Sequence, residues 1–296
     1  MNITKSSIIS IVGRPNVGKS TLTNALVGSK VAIVSNKPQT TRTRITGILN
    51  KDDTQYVFMD TPGLHSPKSR LGDFMVKIVN ETVSDVDTVA LVVEPIANIG
   101  DPEQELIDKI KQFELPAILV INKMDTIAPE KLLEVMAVYG AAHDFNAIVP
   151  VCAINKIGLE PLLKEFKKNA FEGPALFPDD MVSDQPEKVL VAEIIREKML
   201  HSLEKEIPHG VAVYIERMSE RPNGIVDIEA TIFCEKQSHK GIVIGKQGAS
   251  LKKIGSTARF ELEKMFEGKV NLQLWVKVKE GWRNNLFQMR NFGYDE

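Results

Sequence analysis

The sequence predicts two folded parts, an α/β domain built on a mostly parallel sheet and a smaller α+β domain after it. From Ser7 to about Ala170, apolar strand-like runs alternate with helical stretches, which is typical of a parallel sheet covered by helices on both faces. A stretch rich in Gly, Pro and Asp then interrupts the alternation, and the order of elements changes to α-β-β-α-α-β. We therefore expect a first domain at 1–170, a flexible linker at 171–187, a second domain at 188–280 and a C-terminal tail at 281–296.

The first strand-like run, Ile8 to Val12, leads into a phosphate-binding loop of the P-loop NTPase type. The loop matches G-x-x-x-x-G-K-[ST] between a strand and a helix, which is the context that the motif requires. Its glycines let successive N–H groups point at phosphate, Lys19 places a positive charge near the β- and γ-phosphates as a catalytic residue, and the Ser20 hydroxyl can bind Mg²⁺. The predicted nucleotide-binding residues of this loop are Gly13, Arg14, Pro15, Asn16, Val17, Gly18, Lys19, Ser20 and Thr21.

The identity of the base is predicted by Asn122-Lys123-Met124-Asp125, which follows a buried strand-like run. The Asp125 carboxylate can accept hydrogen bonds from the ring N–H and the exocyclic amine of guanine, whereas adenine offers no such pair. Asn122 would hold the neighbouring loop, and the stem of Lys123 would cover the ring. A backbone contact to the guanine oxygen is expected at Cys152, Ala153 and Ile154. The sequence therefore predicts GTP or GDP as the ligand.

The metal site is predicted by Asp60-Thr61-Pro62-Gly63, which follows a third strand-like run. Asp60 can hold Mg²⁺ at the strand end, and the Gly63 N–H could meet the γ-phosphate, so this segment would respond to the presence of that phosphate. One threonine of the polar loop from Lys37 to Arg42 is expected to bind the metal and to take part in catalysis. Thr41 is favoured for this role and Thr40 is the alternative. The predicted metal ligands are Ser20, Thr41 and Asp60, and the further nucleotide contacts are Thr61, Pro62 and Gly63, with Gly63 also catalytic.

Composition and charge are those of an ordinary globular protein with a basic C-terminal part. The chain has 296 residues, 43% of them hydrophobic and 26% charged, and its apolar runs are too short to span a bilayer. Its two cysteines, Cys152 and Cys234, lie far apart and are expected to be reduced. From Glu235 to Arg290 there are twelve Lys/Arg and five Asp/Glu, which gives this stretch a formal charge of +7 and leaves −9 for the rest. This asymmetry favours a polyanionic partner, either RNA or anionic lipid, although it is also compatible with a solvated surface.

The second domain contains a G-x-x-G motif in the order of elements of a type II KH module. The motif lies between two predicted helices and is followed by Lys252 and Lys253. Helix N-terminal N–H groups and Lys246 can meet phosphate there, and the adjacent groove would take about four single-stranded nucleotides. A purely structural helix–turn–helix is the alternative. The predicted RNA-binding residues are Ile244, Gly245, Lys246, Gln247, Gly248, Lys252 and Lys253.

Taken together, G-R-P-N-V-G-K-S, Q-T-T-R, D-T-P-G-L-H, N-K-M-D and V-I-G-K-Q-G resemble the Era family of bacterial GTPases. The resemblance runs from about Ser7 to Val278 in the domain order of that family. It implies a cytoplasmic, Mg²⁺-dependent GTP hydrolase that acts in assembly of the 30S ribosomal subunit. It also implies a KH domain that binds the 3′ end of 16S ribosomal RNA, and a peripheral association with the cell membrane. We expect the chain to act as a monomer.

Catalysis lacks one familiar element, because Leu64 stands where many related GTPases carry a glutamine that orients water. Asn16 occupies the loop position that cation-dependent relatives use to hold K⁺, which would neutralise charge developing between the β- and γ-phosphates. The alternative for Asn16 is a residue that only stabilises the turn.

Three function classes follow from these features. The first is a slow GTPase switch that times RNA release, and it is favoured. The second is an RNA-binding assembly factor whose nucleotide is mainly structural, and the third is a membrane-associated adaptor that uses its basic part on anionic lipid.

Overall fold

A computed structural model describes residues 3–64, 69–84, 86–203 and 210–294. The described residues group into two compact units. The C-terminal unit takes in residues from 185 onward together with two short segments from earlier in the chain, 33–40 and 69–74, and the N-terminal unit takes in the rest. The predicted linker therefore does not stand between two simple blocks of sequence, because one loop and the beginning of the helix Arg70–Ser84, both from the first half of the chain, belong with the second half.

The N-terminal unit is built on a seven-stranded, mostly parallel sheet, as the sequence predicts. Its strands follow the order β2-β3-β1-β4-β5-β6, and β7 pairs with the first residues of β1. The pairs β1–β3, β1–β4, β4–β5 and β5–β6 are parallel. The strands are β1 Lys5–Val12, β2 Ile45–Lys51, β3 Thr54–Asp60, β4 Thr88–Val93, β5 Ala117–Ile121, β6 Ala147–Pro150 and β7 Phe171–Glu172, and the helices of this part of the chain are α1 Lys19–Val27, α2 Arg70–Ser84, α3 Asp101–Gln112, α4 Pro129–Ala142 and α5 Leu159–Lys168.

The central strands are apolar throughout because both faces of the sheet are buried. Along β4, Ala90 and Val92 face a core that includes Leu22 of α1 and Phe166 of α5. The intervening residues of the same strand face a second core that is filled by side chains of α3 and α4, among them Ile107. This two-sided burial explains why the strand-like runs in the sequence do not alternate between polar and apolar residues.

Two strands were not among the sequence predictions. Strand β2 runs antiparallel to β3 in the register Ile45↔Asp60, and β7 runs antiparallel to β1. Because β2 joins its neighbour through a tight turn, no helix separates the two, and the alternation of strand and helix that marks the rest of the unit is missing here.

The segment predicted as a flexible linker is hydrogen-bonded to the N-terminal sheet over most of its length. Beyond β7, the Ile48 N–H donates to Val182 O at 2.9 Å and the Ser183 hydroxyl donates to Thr46 O at 2.6 Å. The buried amide of Gln55 binds the same segment three times, accepting from the N–H groups of Leu176 (2.7 Å) and Phe177 (2.9 Å) and donating to Phe177 O (2.9 Å). The bonds at Ile48 and Thr46 occupy backbone groups of the edge strand β2 that would otherwise be left open.

The C-terminal unit has the α-β-β-α-α-β order that the sequence predicts. Its sheet has the order β10-β9-β8, with β8 antiparallel and β10 parallel to β9. Apolar side chains of all three strands and of the first three helices form one core. The elements are α6 Glu187–Ser202, β8 Val211–Glu220, β9 Val226–Cys234, α7 Gln237–Ile244, α8 Ala249–Met265, β10 Val270–Val278 and the short α9 Leu286–Asn291. The apolar spacing predicts an amphipathic helix from Lys188 to Glu206; α6 ends at Ser202, and residues 204–206 of the prediction lie outside the described residues.

The C-terminal tail is folded rather than extended. Trp282 is completely buried, its indole N–H donates to Gly210 O at 3.1 Å, and its ring contacts those of Phe292 and Tyr294. Both cysteines are free and buried. Within the described residues no helix combines the length and the apolar character needed to cross a bilayer.

We predict that Gln55→Ala releases the segment that Gln55 binds. The change removes three hydrogen bonds to residues 176 and 177 and should lower the free energy of unfolding by about 1–3 kcal/mol. Limited thermolysin digestion should then cut before Leu176 or Phe177 several-fold faster than in the unchanged protein.

Gln104→Ala is the matched control, since Gln104 lies exposed on α3 and its side chain donates to Asp108 of the same helix. Equal cleavage rates in both variants would contradict the proposed anchoring.

Candidate guanine-nucleotide site and RNA surface

The phosphate loop joins β1 to α1 and turns sharply at residues with positive φ. Gly13 has φ 149° and Gly18 has φ 97°, and Asn16 between them is left-handed at φ 67°. A Cβ atom at Gly13 would lie 2.3 Å from Val92 O, so no other residue fits there. The loop therefore keeps the shape that lets backbone N–H groups face an anion.

Lys19, at the end of the phosphate loop, and Asp60, at the end of β3, are both buried and oppositely charged. The Lys19 ammonium donates to Gly13 O at 3.1 Å and Arg14 O at 3.0 Å. Burial lowers the pKa of Lys19 to about 8, although the charge of Asp60 opposes the shift. Burial likewise raises the pKa of Asp60 to about 6 against the influence of Lys19. Each group therefore lacks part of its counter-charge, which a phosphate and a divalent cation would supply.

Three oxygen-bearing side chains meet where the sequence predicts a metal. The Ser20 hydroxyl donates to Asp60 Oδ2 at 2.6 Å and lies 2.9 Å from Thr41 Oγ1. Asp60 Oδ1 is buried and has no hydrogen-bond partner among the described residues. Hydroxyl and carboxylate oxygens are the ligands that Mg²⁺ prefers, and the unpaired carboxylate oxygen leaves a position for it. Thr40 instead donates its hydroxyl to Lys37 O at 2.6 Å, within its own loop.

The predicted base-binding residues connect three loops. Asn122 donates to Val17 O at 2.8 Å and accepts from the Ala153 N–H at 3.1 Å. Lys123 donates to Asn16 O at 2.8 Å and pairs with Glu94. The phosphate loop, the base-specificity loop and the loop after β6 are therefore held in one arrangement by side chains of the protein itself.

Asp125 is exposed and thus accessible to a base. Burial and a hydrogen bond with Asp125 raise the pKa of the Cys152 thiol, so the thiol stays protonated and can serve as the donor in that bond. Cys152 also exchanges backbone hydrogen bonds with Ile157 that close the loop, at 3.0 and 3.1 Å. The Met124 N–H donates to Val151 O at 3.2 Å, and the side chain of Ile154 is 79% exposed.

Gly63 and Leu64 lie against the phosphate loop. A Cβ atom at Gly63 would approach Pro15 N to 2.6 Å, so glycine is required for this close approach. The Leu64 N–H donates to Gly13 O at 3.3 Å, and the Leu64 side chain is buried in the core on the α3 face of the sheet. The Thr61 hydroxyl donates to Ile11 O at 2.8 Å and fixes the start of this segment. The side chain of Leu64 is therefore turned into the core, and residues 65–68 lie outside the described residues.

Glu103 is a residue of this site that the sequence analysis missed. It lies in the first turn of α3, is completely buried, and pairs with the Arg14 guanidinium. Burial raises the pKa of Glu103 while Arg14 opposes that shift. The side chain of Arg14 is thus bound to α3. Arg14 can therefore contribute its backbone to the phosphate loop without its side chain contacting a phosphate. An acidic residue near a helix N-terminus is ordinary, so no sequence signal separates Glu103 from its neighbours.

The G-x-x-G turn links α7 to α8 in the C-terminal unit. Gly245 has φ 73° and a Cβ atom there would lie 2.7 Å from Ser250 Cβ, while Gly248 has φ 79° with open space beside it. Lys246 and Gln247 between them are exposed, and Gln247 is left-handed at φ 51°. Helix α8 begins at Ala249 and directs its first N–H groups toward the turn.

Side chains around this turn present a basic and partly apolar surface. Lys252 and Lys253 are exposed on the first turn and a half of α8, close in sequence to Gly248. Ile244, predicted to bind RNA, is half-buried and packs against the core. Ile242 is 51% exposed, because Val243 takes the buried position in that short helix. The exposed Ile242 and the lysines are suited to bases and phosphates respectively.

These two sites define a P-loop GTPase that carries a KH domain. A family model described as 50S ribosome-binding GTPase matches residues 8–123, and a KH domain model matches residues 206–283.

The whole-chain relatives identify the particular family. The GTPase Era of Ruminiclostridium cellulolyticum is 48% identical over 98% of this chain and 97% of its own length. That of Clostridioides difficile is 49% identical over 99% of both chains. The chain belongs to the GTPase Era family and is a GTPase, as the sequence motifs predict.

Solved structures confirm the predicted fold class. A crystal structure of Era in complex with MgGDPNP and nucleotides 1506–1542 of 16S ribosomal RNA matches with a TM-score of 0.95 at 38% identity, covering 99% of this chain and 100% of that one. A tyrosine-to-alanine variant of Aquifex aeolicus Era bound to GDP·AlF4⁻ matches with the same TM-score, identity and coverage.

We predict that Asn122→Ala weakens binding of GDP and of a GTP analogue by equal factors. The change breaks the bond to Val17 O and leaves the Ala153 N–H without its acceptor, which should cost about 2 kcal/mol, or roughly thirtyfold in Kd. Fluorescent-nucleotide titration measures both constants.

Asn80→Ala, on the exposed face of α2, is the control and should leave both constants unchanged. A loss confined to one of the two nucleotides would show that Asn122 does not act on the shared loops.

Proposed function

We propose that this GTPase binds the 3′ end of 16S ribosomal RNA through its KH domain and acts as a nucleotide-controlled switch in assembly of the 30S ribosomal subunit. The observation that carries the proposal is the presence, in one chain, of a complete guanine-nucleotide site and an exposed G-x-x-G turn flanked by lysines. The Era structure that contains both MgGDPNP and a fragment of 16S ribosomal RNA supports it, because the likeness covers nearly all of both chains.

In the proposed nucleotide site, loop N–H groups and Lys19 bind the β- and γ-phosphates. Ser20, Thr41 and Asp60 hold Mg²⁺, which when bound neutralises phosphate charge. The guanine is recognised by Asp125, with Lys123 along the ring and the loop of residues 152–154 at the base edge. Asn122 orients these loops, since its bonds join residues 17 and 153.

Hydrolysis must proceed without a side chain that orients water at position 64. The side chain of Leu64 is buried, and its N–H holds this segment against the phosphate loop by donating to Gly13 O. The Gly63 N–H is proposed to bind the γ-phosphate. Lys19 and Thr41 stabilise negative charge on the transferred phosphoryl group, and Asn16 is proposed to hold K⁺ beside the β- and γ-phosphates. The exposed, left-handed Asn16 supports that role, since its backbone is fixed by the bond from Lys123 while its side chain is open to solvent.

We predict that K⁺ supports faster GTP turnover than Na⁺ at equal ionic strength, by roughly tenfold, because removing one charge-stabilising group typically costs at least that factor. Asn16→Gly should abolish the difference. Glycine keeps the positive φ and the backbone carbonyl that Lys123 binds, so only the side-chain ligand is lost.

Phosphate release in the two salts measures this, with GDP affinity as the test that the loop is intact. Equal turnover in K⁺ and Na⁺ would contradict the cation site.

RNA is proposed to lie along the turn of residues 245–248 with its backbone against the glycines. Lys246, Lys252 and Lys253 are exposed there and bind phosphates, while Gln247 and the half-buried Ile244 contact bases. The requirement for glycine at 245 supports a built turn rather than a chance one.

We predict that Gly248→Asp weakens binding of a labelled RNA that matches the 3′ end of 16S ribosomal RNA by at least ~10-fold, because it adds a negative charge facing phosphate and strains a residue at φ 79°. Fluorescence anisotropy with the GTP analogue present measures the change.

Gly224→Asp is the matched control. Gly224 has φ 77° and open space around it, but it lies in the β8–β9 turn. Equal RNA affinity in the two variants would place the RNA elsewhere.

We also propose that the chain acts as a monomer in the cytoplasm, with peripheral contact to anionic membrane. The +7 charge of residues 235–290 supports the membrane contact. Sedimentation of the same two glycine variants with anionic vesicles shows whether lipid and RNA use one surface, since only shared use makes Gly248→Asp weaken both.

The switch itself is proposed to run through the loops on either side of the γ-phosphate. Segments 33–40 and 69–74 belong with the C-terminal unit, although the first leads directly to Thr41 and the second comes shortly after Gly63 in the chain. In the second of them the Arg70 N–H donates to Asn284 Oδ1 at 3.1 Å. A change of nucleotide that reorders these segments would therefore alter groups bound to the RNA-binding unit.

A further inference from the structure

A completely buried arginine on α6 holds the loop that leads to Thr41. The Arg196 guanidinium donates to Gln39 O at 3.4 Å and to Thr40 O. Its other donors bind Glu193 one turn earlier, from Nε at 2.7 Å and from the guanidinium at 2.5 Å. The planar fork of arginine thus spans a carboxylate and two backbone carbonyls, which a lysine could not do.

The same helix fixes the beginning of this loop. Glu197 accepts from the Val34 N–H at 2.8 Å, and His201 lies one turn further along and donates from Nε2 to Val34 O at 3.0 Å. Residues 33–40 are therefore bound to α6 at both ends, and all of these groups lie within the C-terminal unit.

The hydrogen bonds of Arg196 stabilise the structure strongly because its side chain is completely buried. An arginine without access to water is tolerated only when its donors are satisfied. Two of its acceptors are backbone carbonyls of a loop with no regular secondary structure, and those carbonyls are in place only while the loop keeps this conformation. The free energy of burying Arg196 therefore depends on the conformation of the loop.

Thr41 follows Thr40 directly, and in this conformation its hydroxyl lies 2.9 Å from Ser20 Oγ. The Thr40 carbonyl belongs to the peptide unit that also contains the Thr41 N–H, so fixing that carbonyl fixes the orientation of the peptide that carries Thr41. The structure thus contains both the bond from Arg196 to Thr40 O and the close approach of the Thr41 hydroxyl to Ser20.

We infer that Arg196 is a positioning residue for the triphosphate state, holding the Gln39 and Thr40 carbonyls so that Thr41 faces the magnesium site. The inference rests on the metal-binding role proposed above for Thr41. It makes α6, the first helix of the RNA-binding unit, sensitive to whether the γ-phosphate holds Thr41 inward.

The test is nucleotide binding by the full-length protein, with Kd measured for fluorescent GDP and for a fluorescent non-hydrolysable GTP analogue with Mg²⁺. Arg196→Met should weaken analogue binding by roughly tenfold, as expected for losing hydrogen bonds from a charged donor, and leave GDP binding within about twofold. Arg196→Lys, which keeps the charge without the fork, should recover only part of the loss.

A role through Thr41 is tested by combining substitutions. Thr41→Ala should lose the analogue preference by itself, and Arg196→Met added to Thr41→Ala should cost nothing further. Additive losses would overturn the inference, because they would show that Arg196 acts independently of Thr41. Preserved analogue preference in Thr41→Ala would overturn it together with the proposed metal role of Thr41, whereas preserved preference in Arg196→Met alone would overturn only the inference.

Two further variants keep a folding defect from being mistaken for the predicted effect. Glu193→Gln combined with Arg196→Met removes both charges and leaves no buried ion unpaired, and it should show the same selective loss of analogue binding. Arg221→Met breaks an exposed arginine–aspartate pair with Asp227 in the same unit and should change neither constant. Equal losses for GDP and analogue in the double variant would mean that Arg196 only stabilises the fold.

Discussion

The shape of the phosphate loop is the constraint on which the rest of the site depends. Its positive-φ turns at Gly13, Asn16 and Gly18 give it the shape in which backbone N–H groups can face an anion, and a side chain at Gly13 would clash with Val92 O. Asn122 and Lys123 then tie the loop to the base-specificity segment through Val17 O and Asn16 O. Because these bonds join the segments predicted to bind phosphate and base, the two ends of a bound nucleotide would contact one hydrogen-bonded frame.

Within that frame the protein holds charges that are incompletely balanced. Burial weakens the charged forms of both Lys19 and Asp60, and their mutual attraction does not restore them. A magnesium–triphosphate would complete both environments at once, with phosphate oxygens beside the Lys19 ammonium and the cation beside the Asp60 carboxylate. Such complementarity would favour the metal–nucleotide pair over either component alone.

The sequence was sufficient to predict those strands and loops that are marked by a local pattern of residues. Apolar runs at Ile8–Val12 and Ala117–Ile121 predicted strands correctly because both faces of the sheet are buried, and the motifs at their ends predicted which loops converge. The antiparallel β2 and the anchored segment of residues 174–183 were not predictable in this way. Their structure depends on bonds between residues far apart in the chain, such as those of Gln55 to Leu176 and Phe177.

Arg196 and Glu103 illustrate the same limit within the candidate sites. Each is a charged residue on a helix that carries other charged residues beside it, and nothing in the local sequence shows that it is buried. Only the fold reveals that Arg196 binds the loop before Thr41 and that Glu103 binds Arg14 of the phosphate loop. In both cases the partner lies in a loop that carries a nucleotide-binding motif. The site therefore includes residues outside the motifs.

The γ-phosphate and RNA are proposed to bind to coupled states of one protein. Thermodynamic reciprocity between nucleotide affinity and RNA affinity tests this coupling most directly. Calorimetric titration gives the affinity for the GTP analogue and for GDP with and without saturating 16S ribosomal RNA fragment, and the affinity for RNA with analogue or GDP bound. If the two sites are coupled, RNA should raise the analogue-to-GDP affinity ratio by the same factor by which analogue raises RNA affinity over GDP, in the range of about 5- to 150-fold. An analogue-to-GDP ratio that is unchanged by RNA would contradict the coupling and leave two sites that share a chain without communicating.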